Sequence, residues 1–280
     1  MTGESSTSAV AYRCPMPGIS IKRLLACAAL AIGLGAIAGC GTGPGGDGDG
    51  TATAGISGNL SISAAASLQG AFTEMAAAFE DAHPKVSVSI NFGASSTLAR
   101  QIIDGAPVDV FASADQANMT EVVDAELLRD IPTIFATNSL EIIVRKGNPS
   151  GIDSLADLAE TGLIYVTCAP EVPIGGYAAE SLLEAGVTVN PASFEPDVKG
   201  IVTKVSSGEA DAGIVYRTDV LASGETATGV AIPDQFNVRA TYPQAVLTGS
   251  PNEAASSAWM SFVAGAEGQA ILRAYGFGQP

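Results

Sequence analysis

Positive charge, histidine and cysteine are all scarce in this chain of 280 residues. Lysine and arginine together number 13 against 29 acidic residues, and the formal net charge is −16. Binding to nucleic acid is therefore excluded, since a phosphate backbone is bound by clustered lysines and arginines. An anionic membrane surface is an equally poor partner. A small anion can still be bound where backbone dipoles supply a local positive potential.

The single histidine, His83, precedes Pro84 and fits a surface turn better than a catalytic base. A Ser-His-Asp triad would have to be built around it, and a zinc or manganese site needs several converging His, Asp and Glu side chains. The sequence has no Gly-x-Ser-x-Gly elbow, Walker A loop or dinucleotide-binding glycine pattern. We expect a protein that is not an enzyme and has no cofactor, with a hydrolase or a metal-binding lipoprotein as less favoured alternatives.

The N-terminal segment has the pattern of an export signal. Lys22 and Arg23 precede an apolar run, 24–38, that has the length of a signal-peptide hydrophobic region. The run leads to Ile37-Ala38-Gly39-Cys40, which resembles a bacterial lipobox with an acylated cysteine. We expect residues 1–39 to be the signal peptide of a lipoprotein, starting at Met1 or Met16, and the Gly-rich residues 40–58 to be a flexible tether. A plain signal peptide or an uncleaved anchor is the alternative.

The few cysteines exclude a disulfide scaffold. Cys14 and Cys27 belong to the predicted leader and Cys40 takes the lipid, so Cys168 is left alone in the mature chain. A lone cysteine is more often a small buried apolar residue than a thiolate nucleophile.

From Asn59 onward, predicted strands alternate with predicted helices. Leu68, Phe72, Met75 and Phe79 have helical spacing, and the apolar residues of 86–92 alternate as in a strand. The other predicted strands are 60–64, 109–112, 140–144, 163–166, 213–216 and 245–247. The other predicted helices are 97–104, 155–160, 176–185, 198–207 and 253–275. This alternation indicates an α/β protein with largely parallel sheets, and two sheets fit its length better than one.

Ligands of open α/β sheets bind beyond the carboxyl ends of strands, where helices begin. Ser67 and Ser95 stand at two such junctions, where each could simply cap its own helix as the N-cap residue. The segments 169–176 and 195–197 precede two further helices, the second with Asp197 as N-cap, and Tyr216 ends another strand. If these helix starts face one point, their free amides and hydroxyls form an anion site that needs no Lys or Arg.

Five segments of the chain resemble the molybdate-binding proteins of ABC importers. They are Ala64 to Leu68, Gly93 to Gln116, Pro170 to Tyr177, Ser207 to Tyr216 and Tyr275 to Phe277. The resemblance implies a type II periplasmic-binding-protein fold with two lobes of mostly parallel sheet and a hinge. It gives lobe I as 59–137 plus 242–280 and lobe II as 138–241, with the chain crossing near Asn138 and returning near Thr241.

The same resemblance implies the ligand contacts. They are the hydroxyls and amides of Ser67 and Ser95, the amides of Ile174 and Val198, and the hydroxyl of Tyr216. Where many members have Asp-Pro-Glu-His-Val-Pro-Ala-Gly, this chain has Cys168-Ala-Pro-Glu-Val-Pro-Ile-Gly. That departure bears on Ile174, although a backbone contact tolerates a changed side chain.

The function implied is a monomeric substrate-binding lipoprotein on the outer side of the cell membrane. It would capture molybdate or tungstate, which sequence alone does not separate, and dock on a membrane permease. The alternative is the same fold with sulfate, phosphate or a small organic acid. An organic acid would be paired by a cation such as Arg100, Lys199 or Arg217, and phosphate would need a buried acceptor for its proton.

Overall fold

The computed structural model describes residues 56–280. The predicted signal peptide 1–39, the predicted lipidation site Cys40 and most of the predicted tether 40–58 lie outside the described residues. The first strand begins at Gly58, close to the expected start of the fold near Asn59. None of the helices within 56–280 combines the length and the apolar character that a membrane span requires.

The described part of the chain alternates strands and helices, as the apolar periodicity predicts. The strands are β1 (Gly58–Ala65), β2 (Val86–Gly93), β3 (Val110–Ala112), β4 (Thr133–Asn138), β5 (Leu140–Arg145), β6 (Tyr165–Cys168), β7 (Ser193–Glu195), β8 (Ala212–Tyr216), β9 (Ala227–Ala231) and β10 (Ala240–Val246). The α-helices are α1 (Gln69–Ala82), α2 (Ser95–Ile103), α3 (Gln116–Asp124), α4 (Pro173–Glu184), α5 (Val198–Ser207), α6 (Arg217–Ser223), α7 (Glu253–Ala264) and α8 (Ala266–Ala274). Two short 3-10 helices, Ala66–Leu68 and Leu155–Ala159, complete the fold.

The strands form two five-stranded sheets, ordered β2-β1-β3-β10-β4 and β7-β6-β8-β5-β9. The predicted α/β class with two sheets is confirmed. Each sheet is mostly parallel in strand direction, because four of its five strands run the same way and one, β10 or β5, runs antiparallel to both of its neighbours. The reversed strands, β5 and β10, are the first strands after the two links between the sheets.

Two short links join the sheets. Ser139 alone separates β4 from β5, and residues 232–239 lie between β9 and β10. These links are next to the crossings expected near Asn138 and Thr241. We call the first sheet with its helices lobe I and the second sheet with its helices lobe II.

The apolar spacing that predicts α1 is also what packs it. Phe72, Met75 and Phe79 are fully buried on one face of the helix. Phe72 and Phe79 meet Trp259 of α7 edge to face, at ring-centroid distances of 5.6 and 5.4 Å. Such aromatic pairs add to the free energy gained by removing the rings from water. Lobe I is therefore held together by a cluster that joins its first helix to one of its last.

Several boundaries differ from prediction. The strand expected at 163–166 runs from Tyr165 to Cys168, and the helix expected at 253–275 is broken at Gly265 into α7 and α8. A Cβ at Gly265 would lie 3.1 Å from the carbonyl oxygen of Ser261, so glycine suits this break. The segment 155–160 is a 3-10 helix rather than an α-helix, and β4, β7, β9, α3 and α6 were not predicted. These elements are short or rich in polar residues, so their apolar signal is weak.

We expect Phe72→Ala to lower the free energy of unfolding by about 3 to 5 kcal/mol, because a fully buried aromatic ring is lost and a cavity is left. The matched control is Leu183→Ala, whose side chain is 79% exposed and whose loss should change stability by less than about 0.5 kcal/mol. Urea unfolding followed by the fluorescence of the single tryptophan measures both. Equal losses in the two variants would contradict this account of the core.

Candidate functional site

One small pocket is bordered by the carboxyl ends of strands from both sheets. Its lining is drawn from the junctions after β1, β2, β3, β6 and β7 and from the end of β8. The residues are Ala66, Ser67, Gly93, Ala94, Ser95, Ala114, Val172, Pro173, Ile174, Asp197, Val198 and Tyr216. All five residues expected at the ligand are in this set, although they are far apart in sequence.

In lobe I the pocket is bordered by two serines that do not cap helices, contrary to expectation. Ser67 lies inside the short 3-10 helix that leads into α1, and Ser95 is the first residue of α2 after Ala94. The N-cap positions are Ala65 and Ala94, and neither helix start has a side-chain cap hydrogen bond. The serine hydroxyls are therefore available for another partner.

Each serine oxygen already accepts or shares a hydrogen bond from within lobe I. The backbone amide of Ala114 donates to Ser95 Oγ at 2.9 Å. Ser67 Oγ lies 3.0 Å from Tyr242 Oη, a buried phenol of β10. Because the Ala114 amide can only donate, the hydroxyl proton of Ser95 remains free to donate elsewhere.

Lobe II contributes the start of α4. Its N-cap is Val172, again with no side-chain cap, and Pro173 at the first turn has no amide hydrogen to satisfy. The amide of Ile174 follows in the same first turn, where a helix makes no internal hydrogen bond. A Cβ at Gly175 would lie within 2.5 Å of the carbonyl oxygen of Cys168, so only glycine lets the helix start this close to the β6 loop.

The start of α5 is built differently. Asp197 is its N-cap, as predicted, and Asp197 Oδ1 accepts from the amides of Lys199 at 2.9 Å and Gly200 at 3.2 Å. The cap leaves the first amide of the helix, that of Val198, for another acceptor. Asp197 is also the one carboxylate in the lining, and its charge is compensated by the positive end of α5.

Tyr216 closes the pocket from the end of β8. Its side chain is 2% exposed, and among residues 56–280 its hydroxyl has no hydrogen-bond partner. Burial raises the pKa of this phenol well above its ordinary value, and the nearby Tyr242 and Tyr177 add to the shift. Tyr216 is therefore a neutral hydroxyl with a proton to donate, and an unpaired buried hydroxyl is costly unless a ligand takes it.

Three residues near the pocket carry hydrogen bonds that sequence reasoning missed. Tyr177 of α4 donates from Oη to the carbonyl oxygen of Ala114 at 3.3 Å, which joins the lobes. Asn118 of α3 makes a second contact between lobes, to the carbonyl oxygen of Glu171 at 3.4 Å. Asn138, the last residue of β4, lies 3.4 Å from Tyr242 Oη. No local pattern marks these residues, because their partners lie 53 or more positions away in sequence.

The ionisable groups near the pocket are mostly engaged with other residues. Asp219 is fully buried, burial raises its pKa, and Lys199 Nζ lies 2.7 Å from its Oδ1. Asp115 is also buried with a raised pKa, and it caps α3 through the amide of Asn118 at 3.1 Å. Within residues 56–280 no group of three or more His, Cys, Asp and Glu could hold a metal ion. His83 lies at the end of α1, beside the ring of Phe79.

The chain is similar to known proteins along most of its length. Residues 60–278 match the family model of bacterial extracellular solute-binding proteins. The chain is 41% identical over 222 residues to the molybdate-binding protein ModA of Mycobacterium tuberculosis, covering 79% of this chain and 85% of the relative. It is 35% identical over 232 residues to ModA of Escherichia coli, covering 79% and 89%.

A solved structure is similar along the same part of the chain. It is the substrate-binding domain of a putative molybdenum ABC transporter from Clostridium difficile, with 30% identity and a TM-score of 0.61. The match covers 79% of this chain and 99% of that one.

We expect Cys168 to be inert in the folded protein. Its side chain is 1% exposed, and burial together with the carboxylates of Asp197, Glu195 and Asp219 raises the pKa of the thiol to about 12. Because the thiolate is the reactive form, alkylation at pH 8 should be roughly a thousandfold slower than that of a free thiol. Mass spectrometry of the peptide that contains Cys168, after iodoacetamide treatment with and without urea, measures this. Rapid labelling of the native protein would revive the hydrolase alternative.

Proposed function

Because the chain belongs to the family of bacterial extracellular solute-binding proteins, we propose that it captures molybdate or tungstate in this pocket and delivers it to an ABC importer. The observation that carries the proposal is the buried hydroxyl of Tyr216, which has no partner among residues 56–280 and borders the pocket with Ser67 and Ser95. These hydroxyl hydrogens suit a tetrahedral oxyanion, because the oxygens of a deprotonated oxyanion can only accept hydrogen bonds.

The positive potential for a dianion comes from helix starts. The pocket borders the starts of α2, α4 and α5 and the 3-10 helix before α1, and no Lys or Arg is among its lining residues. One helix terminus near a charge contributes about 0.3 to 1 kcal/mol when exposed and up to about 2 kcal/mol when partly buried. Several termini with direct hydrogen bonds can therefore hold a dianion that must later be released.

An organic acid is a poorer fit for this pocket. Of the cations that could pair with a carboxylate, Lys199 is bound to Asp219 at 2.7 Å and Arg217 lies 3.7 Å from Glu141. Arg100 lies on the exposed face of α2, and none of the three belongs to the lining. The cavity is small, about 20 Å³, which favours a compact ligand over an extended one.

The hydroxyl and amide donors predict how the site responds to mutation. We expect Ser95→Ala to weaken molybdate binding by about 1 to 3 kcal/mol, since a hydrogen bond to a charged ligand is lost. Ser89→Ala removes an exposed hydroxyl of β2 and should leave the affinity unchanged. Calorimetric titration of both variants and the parent protein gives the affinities.

The same titration tests the ligand class when molybdate, tungstate, sulfate and phosphate are compared. No heat with any of the four would refute the proposed function. An unchanged molybdate affinity in Ser95→Ala would leave the function standing and remove Ser95 from the site.

The importer partner and the membrane anchor extend the proposal. We propose that the protein acts as a monomer on the outer side of the cell membrane, where Cys40 carries the lipid and the protein docks on a membrane permease. The support for the anchor is the lipobox-like Ile37-Ala38-Gly39-Cys40 after an apolar run. A tethered protein stays close to the permease, which raises its effective concentration there.

We expect Cys40→Ala to move the protein from the membrane fraction to the soluble fraction or to stop its maturation, because the acylated residue is lost. Cys27→Ala, within the predicted signal peptide, is the control and should leave the protein in the membrane fraction. Fractionation of expressing cells followed by mass analysis of the N-terminus reports the result. Membrane retention with an unmodified N-terminus in both variants would exclude lipidation at Cys40.

A further inference from the structure

The hydroxyl of Ser67 is held by a chain of buried side chains that do not line the pocket. Tyr242 Oη lies 3.0 Å from Ser67 Oγ, and Asn138 Nδ2 lies 3.4 Å from the same phenol oxygen. Tyr242 is 0% exposed and Asn138 is 5% exposed. Solvent therefore does not compete for these hydrogen bonds, and each proton has a defined place.

The direction of this chain follows from one backbone amide. Ser139 N–H donates to Asn138 Oδ1 at 3.1 Å, and an amide nitrogen can only donate, so the carbonyl side of Asn138 is fixed. The Nδ2 group then donates to Thr218 Oγ1 at 2.9 Å and to Tyr242 Oη at 3.4 Å.

Because Tyr242 accepts from Asn138, its own proton goes to Ser67 Oγ, which is its remaining partner within 56–280. The alternative, in which Ser67 donates to Tyr242, would leave a buried phenol proton unpaired, and that arrangement is costly. Ser67 thus accepts on the protein side and keeps its own proton for the pocket.

The two pocket serines are fixed by different means. Ser95 is held as a donor by the backbone amide of Ala114, which no side-chain substitution removes. Ser67 is held as a donor only by the side chains of Tyr242 and Asn138. Substitution of Tyr242 or Asn138 can therefore change whether Ser67 donates or accepts in the pocket, without altering a residue that lines the pocket.

We propose that Tyr242 and Asn138 are specificity-determining positioning residues, which fix Ser67 as a hydrogen-bond donor and so make the pocket reject oxyanions that carry a proton. The proposal rests on the proposed function of oxyanion capture. A protonated ligand oxygen set against the Ser67 proton leaves two hydrogens facing each other, and the hydrogen bond between these two groups is not made. A fully deprotonated ligand of equal charge has no such conflict.

Tyr242→Phe tests the proposal, with molybdate and hydrogen arsenate as probes at a pH well above neutral, where arsenate is present as the dianion. The two ions carry the same charge, but only arsenate keeps a proton. Without the phenol, Ser67 can turn and accept, so we expect the ratio of molybdate to arsenate affinity to fall by about tenfold, the factor that one charged hydrogen bond gives. Tyr275→Phe, at a half-buried phenol beside Gly70, is the control and should keep the ratio of the parent.

Asn138→Asp is the second variant. A carboxylate can only accept a hydrogen bond from Tyr242, so this substitution reverses the direction of the hydrogen bonds between residue 138, Tyr242 and Ser67. Ser67 would then donate to Tyr242 and present a lone pair to the pocket. The added charge acts equally on both dianions, so the affinity ratio still reports polarity, and thermal unfolding of each variant shows that it is folded. We expect a ratio lowered at least as much as in Tyr242→Phe.

The outcomes separate this inference from the proposed function. Molybdate binding by the parent protein with an affinity ratio that is unchanged in both variants would overturn the positioning role alone, as would a fall of both affinities by one common factor. A parent protein that binds neither ion would overturn the proposed function and this inference with it. A lowered ratio in the variants and an unchanged ratio in Tyr275→Phe would support both.

Discussion

The arrangement of the pocket depends on hydrogen-bond donors that the protein does not use itself. Away from the pocket, Asp115 caps α3 and Ser154 forms a capping box on the 3-10 helix 155–159. The starts of α7 and α8 have no side-chain cap either, but their first residues, Glu253 and Ala266, are exposed, so water can satisfy their amides. At the pocket the N-cap residues of α2 and α4 are Ala94 and Val172, which cannot cap with a side chain. Uncapped amides in a buried place cost stability, so their concentration around one point indicates a ligand that satisfies them.

These unused donors explain how a chain with a net charge of −16 can form a pocket suited to an anion. The nearby carboxylates are each engaged in a local interaction that limits their effect on the pocket. Asp197 accepts hydrogen bonds from the amides of the second and third residues of α5. Asp219 forms an ion pair with Lys199, and Asp115 accepts a hydrogen bond from the amide of Asn118. The potential at the pocket is therefore set by the helix ends, whose influence falls off within a turn, rather than by the distant surface charge.

Sequence reasoning reached most of the elements and the junctions at the pocket, because both depend on local patterns. The spacing of Phe72 and Phe79 predicts α1, and a residue after a buried strand, such as Ser95, is a natural candidate for a site. It erred where the local pattern had two interpretations, as with the serines taken for N-caps. It could not reach Tyr242 or Asn138, since their roles depend on a partner 175 residues away for Tyr242 and 104 for Asn138. Chain topology, rather than periodicity, brings those groups together.

Some of the residues that position the pocket serines also form hydrogen bonds between the two lobes. Ala114 donates its amide to Ser95 at the pocket, and its carbonyl oxygen accepts from Tyr177 of lobe II. Asn138 stands beside the link at Ser139 and joins Thr218 of lobe II to Tyr242 of lobe I. A ligand that fixes the serines therefore acts on residues that also bond across the lobes. The atoms that border the pocket and the atoms that bond one lobe to the other are therefore linked through Ala114 and Tyr242.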